Sequence, residues 1–160
     1  MRKIILKSHA QIVEALRLID ELPLSPLYEV VIQLHKPDID RTAAQNRLQF
    51  LWYNAISQQK EDMSPVEVRG YCKLHFGVGI VKSGVGKIAA QFTEQYDEII
   101  RPLTYEQKLS LMTPPIELPV TSLMTVRQMT QYLEDINIHF SGEGIILPMP
   151  DYIYQMAMEI

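Results

Sequence analysis

The stretch RTAAQNRLQFLWYN, residues 41–54, constrains the fold most, because its pattern is that of a long helix. Apolar side chains in and just beyond it recur at the three- and four-residue spacing of an amphipathic helix: Ala44, Leu48, Leu51, Trp52, Ala55 and Ile56. Thr42 is a suitable N-cap, so we predict a helix over about residues 42–59. Residues 45–47, with Phe50 and Tyr53, lie away from that stripe, so the helix carries side chains that its core face does not explain.

Two segments near the start of the chain have the composition of β-strands. Residues 2–7 are rich in aliphatic side chains and alternate weakly, and residues 28–35 alternate around Val30, Ile32 and Leu34. Helical patterns follow them along the chain. We therefore expect an α+β fold, in which short early β-strands pack with several α-helices in a single domain covering residues 1–160.

Helix-start signals and apolar periods predict the other helices. Ser64, Pro65 and Glu67 combine an N-cap, a proline at the first helical position and a capping-box acid, which predicts a helix over residues 65–76. Further caps and apolar periods predict helices at residues 9–22, 96–103, 104–112 and 125–140.

Length and composition are typical of a soluble globular protein. A chain of 160 residues suits one domain, and its only cysteine, Cys72, excludes an internal disulfide and a cysteine-only zinc site. No apolar run approaches the ~20 residues that a membrane span needs, and MRKIILKS is too short for a signal peptide. We therefore expect a cytoplasmic location and no membrane partner.

Charge is unevenly distributed along the chain. Residues 1–93 contain twelve Lys and Arg against nine Asp and Glu, a balance of +3, whereas residues 94–160 contain three against ten, a balance of −7. The net charge of −4 argues against general coating of DNA, which depends on phosphate neutralisation. We expect a neutral-to-basic body, residues 1–93, and an acidic, mostly helical C-terminal part, although solvated faces of unequal composition would produce the same pattern.

The glycine-rich stretch GVGIVKSGVGK, residues 77–87, invites comparison with a phosphate-binding loop. Gly79 and Gly84 have the Walker A spacing, but two residues intervene before Lys87, and Ile88 supplies no hydroxyl for magnesium. We therefore predict a loop or hairpin here and no nucleotide cofactor.

Metal chemistry has two weak candidates. Glu29, Asp38 and Asp40 could converge as the carboxylates of a two-metal nuclease, whereas Asp38 and Asp40 would equally suit a turn before a helix. Cys72 and His75 lie three residues apart on one predicted helix, but two ligands make no metal site. We expect neither a bound metal nor another cofactor, and the nuclease remains an alternative.

Cations and aromatic residues alternate in the middle of the chain. Residues 69–93 contain no acidic residue, while Arg69, Lys73, Lys82 and Lys87 are interspersed with Tyr71, Phe76 and Phe92. Proteins that bind single strands use this combination, because cations follow the phosphates and aromatic rings stack on the bases. The same composition also describes an ordinary surface loop beside core aromatic residues.

The motif Arg41-Thr42-x-x-Gln45-Asn46-Arg47, followed by Trp52, resembles the Arg-Ser/Thr-x-x-Gln-Asn-Arg signature of the NinB (Orf) family of bacteriophage recombination proteins. Residues 68–76, VRGYCKLHF, are similar to a second helix of that family, and residues 121–148 to its late amphipathic segment. The similarity covers about two-thirds of the chain in scattered blocks, and residues 94–120 match nothing in the family.

This resemblance implies a small α+β homodimer that binds DNA, prefers single strands and has no catalytic activity of its own. It also implies a partner, either single-strand-binding protein or a phage recombinase, during homologous recombination in a bacterial host. On that interpretation we expect the DNA contacts to come from the following residues: Asn46, Arg47, Arg69, Lys73, Phe76, Lys82 and Lys87.

Three interpretations of the motif remain open. Gln45 and Asn46 could form a buried polar junction with the end of the preceding strand, while Arg47 pairs with Asp38 or Asp40. Alternatively, Asn46, Arg47 and Phe50 could face nucleic acid. Phe50 and Tyr53 could also pack across a dimer interface, where aromatic residues are enriched.

Two rival functions also remain open at this stage. One is the metal-dependent nuclease, and the other is a protein-interaction module that acts on a host factor through its acidic late segment.

Overall fold

The computed structural model describes residue 6, residues 8–32 and residues 41–159. The chain divides into two compact units, Met1–Pro37 and Asp38–Ile160. About 68% of the described residues are helical, and β geometry among them is confined to an isolated bridge between Ser25 and Tyr28. The predicted α+β class is therefore wrong, because these residues form a mostly helical fold without a sheet.

The strand predicted at residues 28–35 is absent over its described part, residues 28–32. A strand needs a neighbouring strand to satisfy its backbone groups, and alternation is useful only where one face is buried. Here Tyr28 N donates to Ser25 O (2.9 Å) in a tight turn, and both Val30 and Ile32 are exposed. Residues 33–35, and the predicted strand at 2–7 apart from residue 6, lie outside the described residues.

The first unit contains one helix, α1 (His9–Asp20), among its described residues. Ser8 caps it, because its hydroxyl accepts a hydrogen bond from Gln11 N (3.4 Å). The helix predicted over residues 9–22 is confirmed to within two residues.

The second unit is organised around α2 (Arg41–Lys60), which confirms the helix predicted from its apolar stripe. Ala44, Leu48, Trp52 and Ile56 are fully buried, with Leu51 and Ala55 partly so. They pack in one cluster with apolar side chains of the later helices, among them Val68, Cys72, Leu133, Ile136 and Ala157.

The helix predicted at residues 65–76 exists and is longer than predicted. In α3 (Pro65–Cys72), Ser64 Oγ accepts from Glu67 N (3.3 Å), and the Glu67 carboxylate accepts from Ser64 N (2.7 Å). This is the capping box that the sequence predicts. The helix then continues through a π-helical turn (Lys73–Gly77) into α4 (Val78–Lys82).

The prediction of a loop or hairpin over residues 77–87 is therefore wrong for its first half. Val78 and Val81 are buried in a second apolar cluster, and burial of this face outweighs the low helix propensity of glycine. Gly77 is needed for packing, since a Cβ there would lie 2.6 Å from Val120 Cγ1. The turn between α4 and α5 (Lys87–Gln95) contains Gly86, whose φ of 101° suits glycine.

The remaining helices complete the second unit. A π-helical turn (Tyr96–Ile100), α6 (Tyr105–Leu111), a 3₁₀ turn (Thr121–Leu123) and α7 (Val126–Gly142) follow one another. The helices predicted at residues 104–112 and 125–140 are confirmed, the one predicted at 96–103 is helical over residues 96–100, and the 3₁₀ turn was not predicted. The last helix, α8 (Asp151–Met158), was not predicted and packs against α2. None of the helices in the described ranges combines the length and the apolar character needed to cross a bilayer.

Candidate functional site

A pocket of about 450 Å³, with a mixed polar and apolar lining, lies beside α2 in the second unit. One wall is formed by the motif helix itself, through Thr42, Gln45, Asn46, Gln49 and Phe50. The opposite wall comes from α3, from the π-helical turn that follows it, from the segment before α7 and from the start of α7: Arg69, Lys73, Glu117, Thr121, Ser122, Met124, Thr125, Val126 and Met129. The motif that resembles the NinB signature therefore shapes this pocket.

Gln45 fixes the position of the pocket wall. Its side chain is 2% exposed, and its amide nitrogen donates to Val126 O (3.0 Å), Thr130 Oγ1 (3.0 Å) and Ala157 O (3.1 Å). These bonds connect α2 to the start of α7 and the end of α8. Gln45 is therefore a buried polar junction between α2 and two later helices, whereas the predicted partner, the end of the preceding strand, lies outside the described residues.

A buried chain of hydrogen bonds continues from the pocket into the core. Gln49 Nε2 donates to Asn46 Oδ1 (2.8 Å), and Tyr53 Oη donates to Gln49 Oε1 (2.9 Å) and lies 2.8 Å from Tyr132 Oη. Burial raises the pKa of both tyrosines well above its usual range, so their hydroxyls are neutral. Tyr53 is 1% exposed within its own chain, so the interpretation of this residue as a dimer contact is wrong.

Two cations share one carboxylate at the opposite wall. Arg69 forms an ion pair with Glu117, and its guanidinium carbon lies 5.8 Å from the centre of the Phe50 ring. Lys73 Nζ donates to Met112 O (3.1 Å) and lies 4.0 Å from Glu117 Oε1. Burial, followed by the charge of Arg69, lowers the pKa of Lys73 to about 8. With Lys73 protonated, this charged cluster has an excess of one positive charge.

The four predicted cations are not all available on the surface. Lys73 is 3% exposed, and Arg69 is paired with Glu117. Lys82 Nζ forms an ion pair with Asp97 Oδ1 (2.5 Å) and lies 5.3 Å from the centre of the Tyr96 ring. Lys87 alone of the four is exposed, at the start of α5.

Phe76 belongs to a cluster of aromatic and histidine side chains away from the pocket. It is partly buried, with its ring centre 6.3 Å from that of Tyr71 and 5.3 Å from that of His139. Tyr71 also stacks on His75 at 4.0 Å, and burial lowers the pKa of that histidine. The ring of Phe76 therefore packs against other side chains of the protein, whereas the predicted DNA contact requires a ring that is free to stack on a base.

The face of α2 next to the pocket is exposed. Asn46 and Arg47 are exposed, and Phe50 is 48% exposed with its ring edge-on to Tyr53 at 5.8 Å. Residues three and four positions apart lie on the same side of a helix, so these three form one surface, the α2 face. Asn46 and Phe50 belong both to this face and to the pocket rim.

The candidate metal ligands are not brought together among the described residues. Glu29 is exposed in the first unit, and Asp38 and Asp40 lie outside the described residues, as do the predicted pairs between them and Arg47. Burial raises the pKa of Cys72, so this side chain is a neutral thiol in the core, whereas His75 is exposed. Within the described ranges, no group of three His, Cys, Asp or Glu side chains could hold a metal ion.

Sequence reasoning missed several pocket residues. Glu117, Thr121, Ser122 and Thr125 lie more than 50 positions from the motif helix, so no spacing rule connects them with it. The hydroxyl-rich stretch TSLMT, residues 121–125, was the available signal.

Comparison with family models, with curated proteins and with solved structures found no match to this chain. The resemblance to the NinB family therefore stays a prediction that rests on the motif residues.

Proposed function

We propose that this chain is a non-catalytic accessory protein of phage or prophage homologous recombination that binds single-stranded DNA with the α2 face. Its setting is the cytoplasm of the bacterial host. The observation that carries the proposal is the juxtaposition of an exposed cation, Arg47, and an exposed ring, Phe50, on one face of α2, where Phe50 also lines the pocket.

The chemistry of the α2 face suits a single strand. Arg47 meets a phosphate, and Phe50 offers a ring face or edge to a base, which is worth about 1–3 kcal/mol per stacked base. Arg69 lies over Phe50 and presents a second planar group next to it. Paired bases in a duplex are already stacked, so such a surface favours strands whose bases are free.

The proposed binding is modest and depends on salt. Arg47 and Lys87 are exposed, whereas Arg69, Lys73 and Lys82 already have partners in the protein. A protein that neutralises few phosphates releases few counterions, so the slope of log affinity against log salt is shallow. The proposal therefore moves the centre of binding from residues 69–87 to the α2 face.

Fluorescence anisotropy tests the proposal with labelled single- and double-stranded oligonucleotides at low and moderate salt, with and without magnesium. We expect salt-sensitive binding that favours the single strand and leaves the label intact. Absence of binding at low salt contradicts the proposal, and cleavage in the presence of magnesium supports the nuclease instead.

A matched pair of variants locates the surface. Arg47→Ala removes a cation from the α2 face and should weaken binding while lowering the salt slope by about 1. Arg101→Ala removes an exposed arginine outside that face and should leave binding unchanged. Lys87→Ala then measures whether the predicted basic stretch contributes. An equal loss in the Arg47 and Arg101 variants would show a non-specific charge effect.

The assembly partners are part of the same proposal. A homodimer would place two α2 faces on one strand, and single-strand-binding protein or a phage recombinase would be the protein partner. Light scattering after gel filtration measures the oligomeric state, and a monomer at micromolar concentration would contradict the dimer.

A further inference from the structure

We infer that the pocket beside α2 takes in one unstacked base of the bound strand while the phosphates stay outside on the α2 face. This inference rests on the proposed function and specifies where a base enters. Asn46 and Phe50 line the pocket and are also exposed, so a strand on the α2 face passes directly over the pocket mouth.

The pocket has room for such a group. Its volume of about 450 Å³ lies within the roughly 300–1,000 Å³ of sites that bind small organic molecules. Phe50, Met124, Val126 and Met129 provide apolar wall area for the flat faces of a base. A planar heterocycle with polar edges fits this mixed lining better than an aliphatic chain, which would leave the polar groups unsatisfied.

Two buried polar groups in the lining retain hydrogen-bonding capacity. The Gln45 amide nitrogen is fully used, but its oxygen accepts no hydrogen bond from any described residue. No polar side-chain atom in the described part of the chain is both fully buried and without a partner, so this oxygen retains some exposed surface, and Gln45 is one of the residues that line the pocket. Lys73 has three N–H donors and makes one hydrogen bond, to Met112 O.

An acceptor and a donor in one pocket match the edge of a base that has both an N–H and a carbonyl group, such as thymine. The Lys73 ammonium would donate to the carbonyl, and the Gln45 oxygen would accept from the N–H. A base can reach them only after leaving its stack, which requires less free energy in a single strand than in a duplex. The pocket therefore contributes to the preference for single strands.

The test compares two labelled strands of equal length, an oligothymidylate and a strand in which every base is replaced by an abasic site. Both carry the same phosphates, so their affinity ratio measures the contribution of the bases. For the wild-type chain we expect the oligothymidylate to bind about ten- to a hundredfold tighter.

Two variants assign that ratio to the pocket. Lys73→Met removes the buried donor, and Ser122→Trp, at an exposed position of the lining, reduces the space. Each should lower the affinity ratio several-fold below the wild-type value, and the part that remains is the stacking of a base on Phe50 outside the pocket. The abasic strand, measured with the same variant, corrects each ratio for the change in charge. Arg101→Ala is the matched control for charge, and far-UV circular dichroism with thermal unfolding confirms that the variants are folded.

The outcomes separate the inference from the proposed function. If both variants bind the oligothymidylate with the wild-type ratio, or if the wild-type ratio is itself close to one, the bases do not use the pocket and the inference is overturned. If the wild-type chain binds neither strand at low salt, the proposed function is overturned together with the inference.

Discussion

The buried polar groups of the two pocket walls are stabilised in different ways. On the α2 side, Gln45, Gln49 and Tyr53 are neutral. Tyr53 donates to Gln49, Gln49 donates to Asn46, and Gln45 donates to backbone carbonyls of two later helices. On the opposite side, Arg69 and Lys73 are cations that share Glu117. The polar groups of the neutral wall find their hydrogen-bond partners within the protein and hold α2 against α7 and α8. The charged wall retains an excess positive charge that is available to a ligand.

The largest expected change in the free energy of unfolding comes from a substitution on the neutral wall. Gln45→Ala removes the hydrogen bonds from Gln45 to Val126 O and to Ala157 O and opens a cavity between three helices. We expect the free energy of unfolding to fall by about 3 kcal/mol. Urea denaturation measures this change.

Gln58→Ala is the matched control for Gln45→Ala, because Gln58 is an exposed glutamine of the same helix. Its effect should stay within about 0.5 kcal/mol. If the two variants lose similar amounts of stability, Gln45 does not hold the helices together.

The next effect concerns the buried tyrosine pair. Tyr132→Phe removes one partner of the Tyr53 hydroxyl, and we expect a loss of about 1–2 kcal/mol. The double variant with Tyr53→Phe should lose less than the sum of the two single variants, because both partners are then removed together. Tyr152→Phe, at an exposed tyrosine, is the control. Strict additivity in this cycle would contradict the coupling of the two hydroxyls.

On the charged wall we expect a substitution to raise the free energy of unfolding instead of lowering it. Lys73→Met replaces a buried ammonium with an apolar side chain of similar length, so the free energy of unfolding at pH 7 should rise by about 1 kcal/mol. A decrease in stability would mean that the bond from Lys73 to Met112 O outweighs the desolvation of the charge.

The pH dependence tests the same side chain independently. The unfolded chain holds the Lys73 proton up to its ordinary pKa of 10.5, whereas the folded chain releases it at a pKa of about 8. Between these values the unfolded state binds more protons, so the wild-type free energy of unfolding gains a contribution that increases with pH. The advantage of Lys73→Met should therefore shrink from pH 8 toward pH 10. The raised pKa values of Tyr53 and Tyr132 act in the opposite direction only above about pH 10 and are common to both proteins.

The smallest effect is expected at the partly exposed ion pair outside the pocket. Asp97→Asn removes the partner of Lys82 and should lower the free energy of unfolding by about 0.5 kcal/mol. Added salt screens such pairs, so the difference should decrease in 1 M sodium chloride in a urea titration. A larger, salt-independent loss would show that this pair is buried like the Lys73 cluster.

Helices were predicted correctly from the sequence where a capping residue and the apolar periodicity indicated the same element. Ser64 and Glu67 begin α3 as predicted, and the spacing of Leu48, Trp52 and Ile56 identified both α2 and its buried face. Alternation at Val30 and Ile32 was misleading, because a strand also depends on a partner that the local sequence does not reveal. The glycine-rich residues 77–82 were misjudged for a related reason, since the burial of Val78 and Val81 is a tertiary effect.

The site was less predictable than the helices. A junction role for Gln45 could be predicted, because this polar residue lies in the first turns of a helix that has an apolar stripe. Its hydrogen-bond partners on α7 and α8 could not be predicted. The pairing of Arg69 with Glu117, and the burial of Lys73, depend on helices that are distant in sequence and adjacent in space. A run of cations in a sequence therefore predicts charge, but it does not predict which of the charges remain free.

The π-helical turn Lys73–Gly77 explains how one continuous helix can serve two separate cores. A turn of this kind holds one more residue than an α-helical turn, so every side chain beyond it is rotated by about 100° about the axis. Val68 and Cys72, before the turn, enter the core around Trp52, and Val78 and Val81, after it, enter the other core. In an uninterrupted α-helix of the same sequence, Val78 and Val81 would lie about 100° further around the axis and would not face the second core.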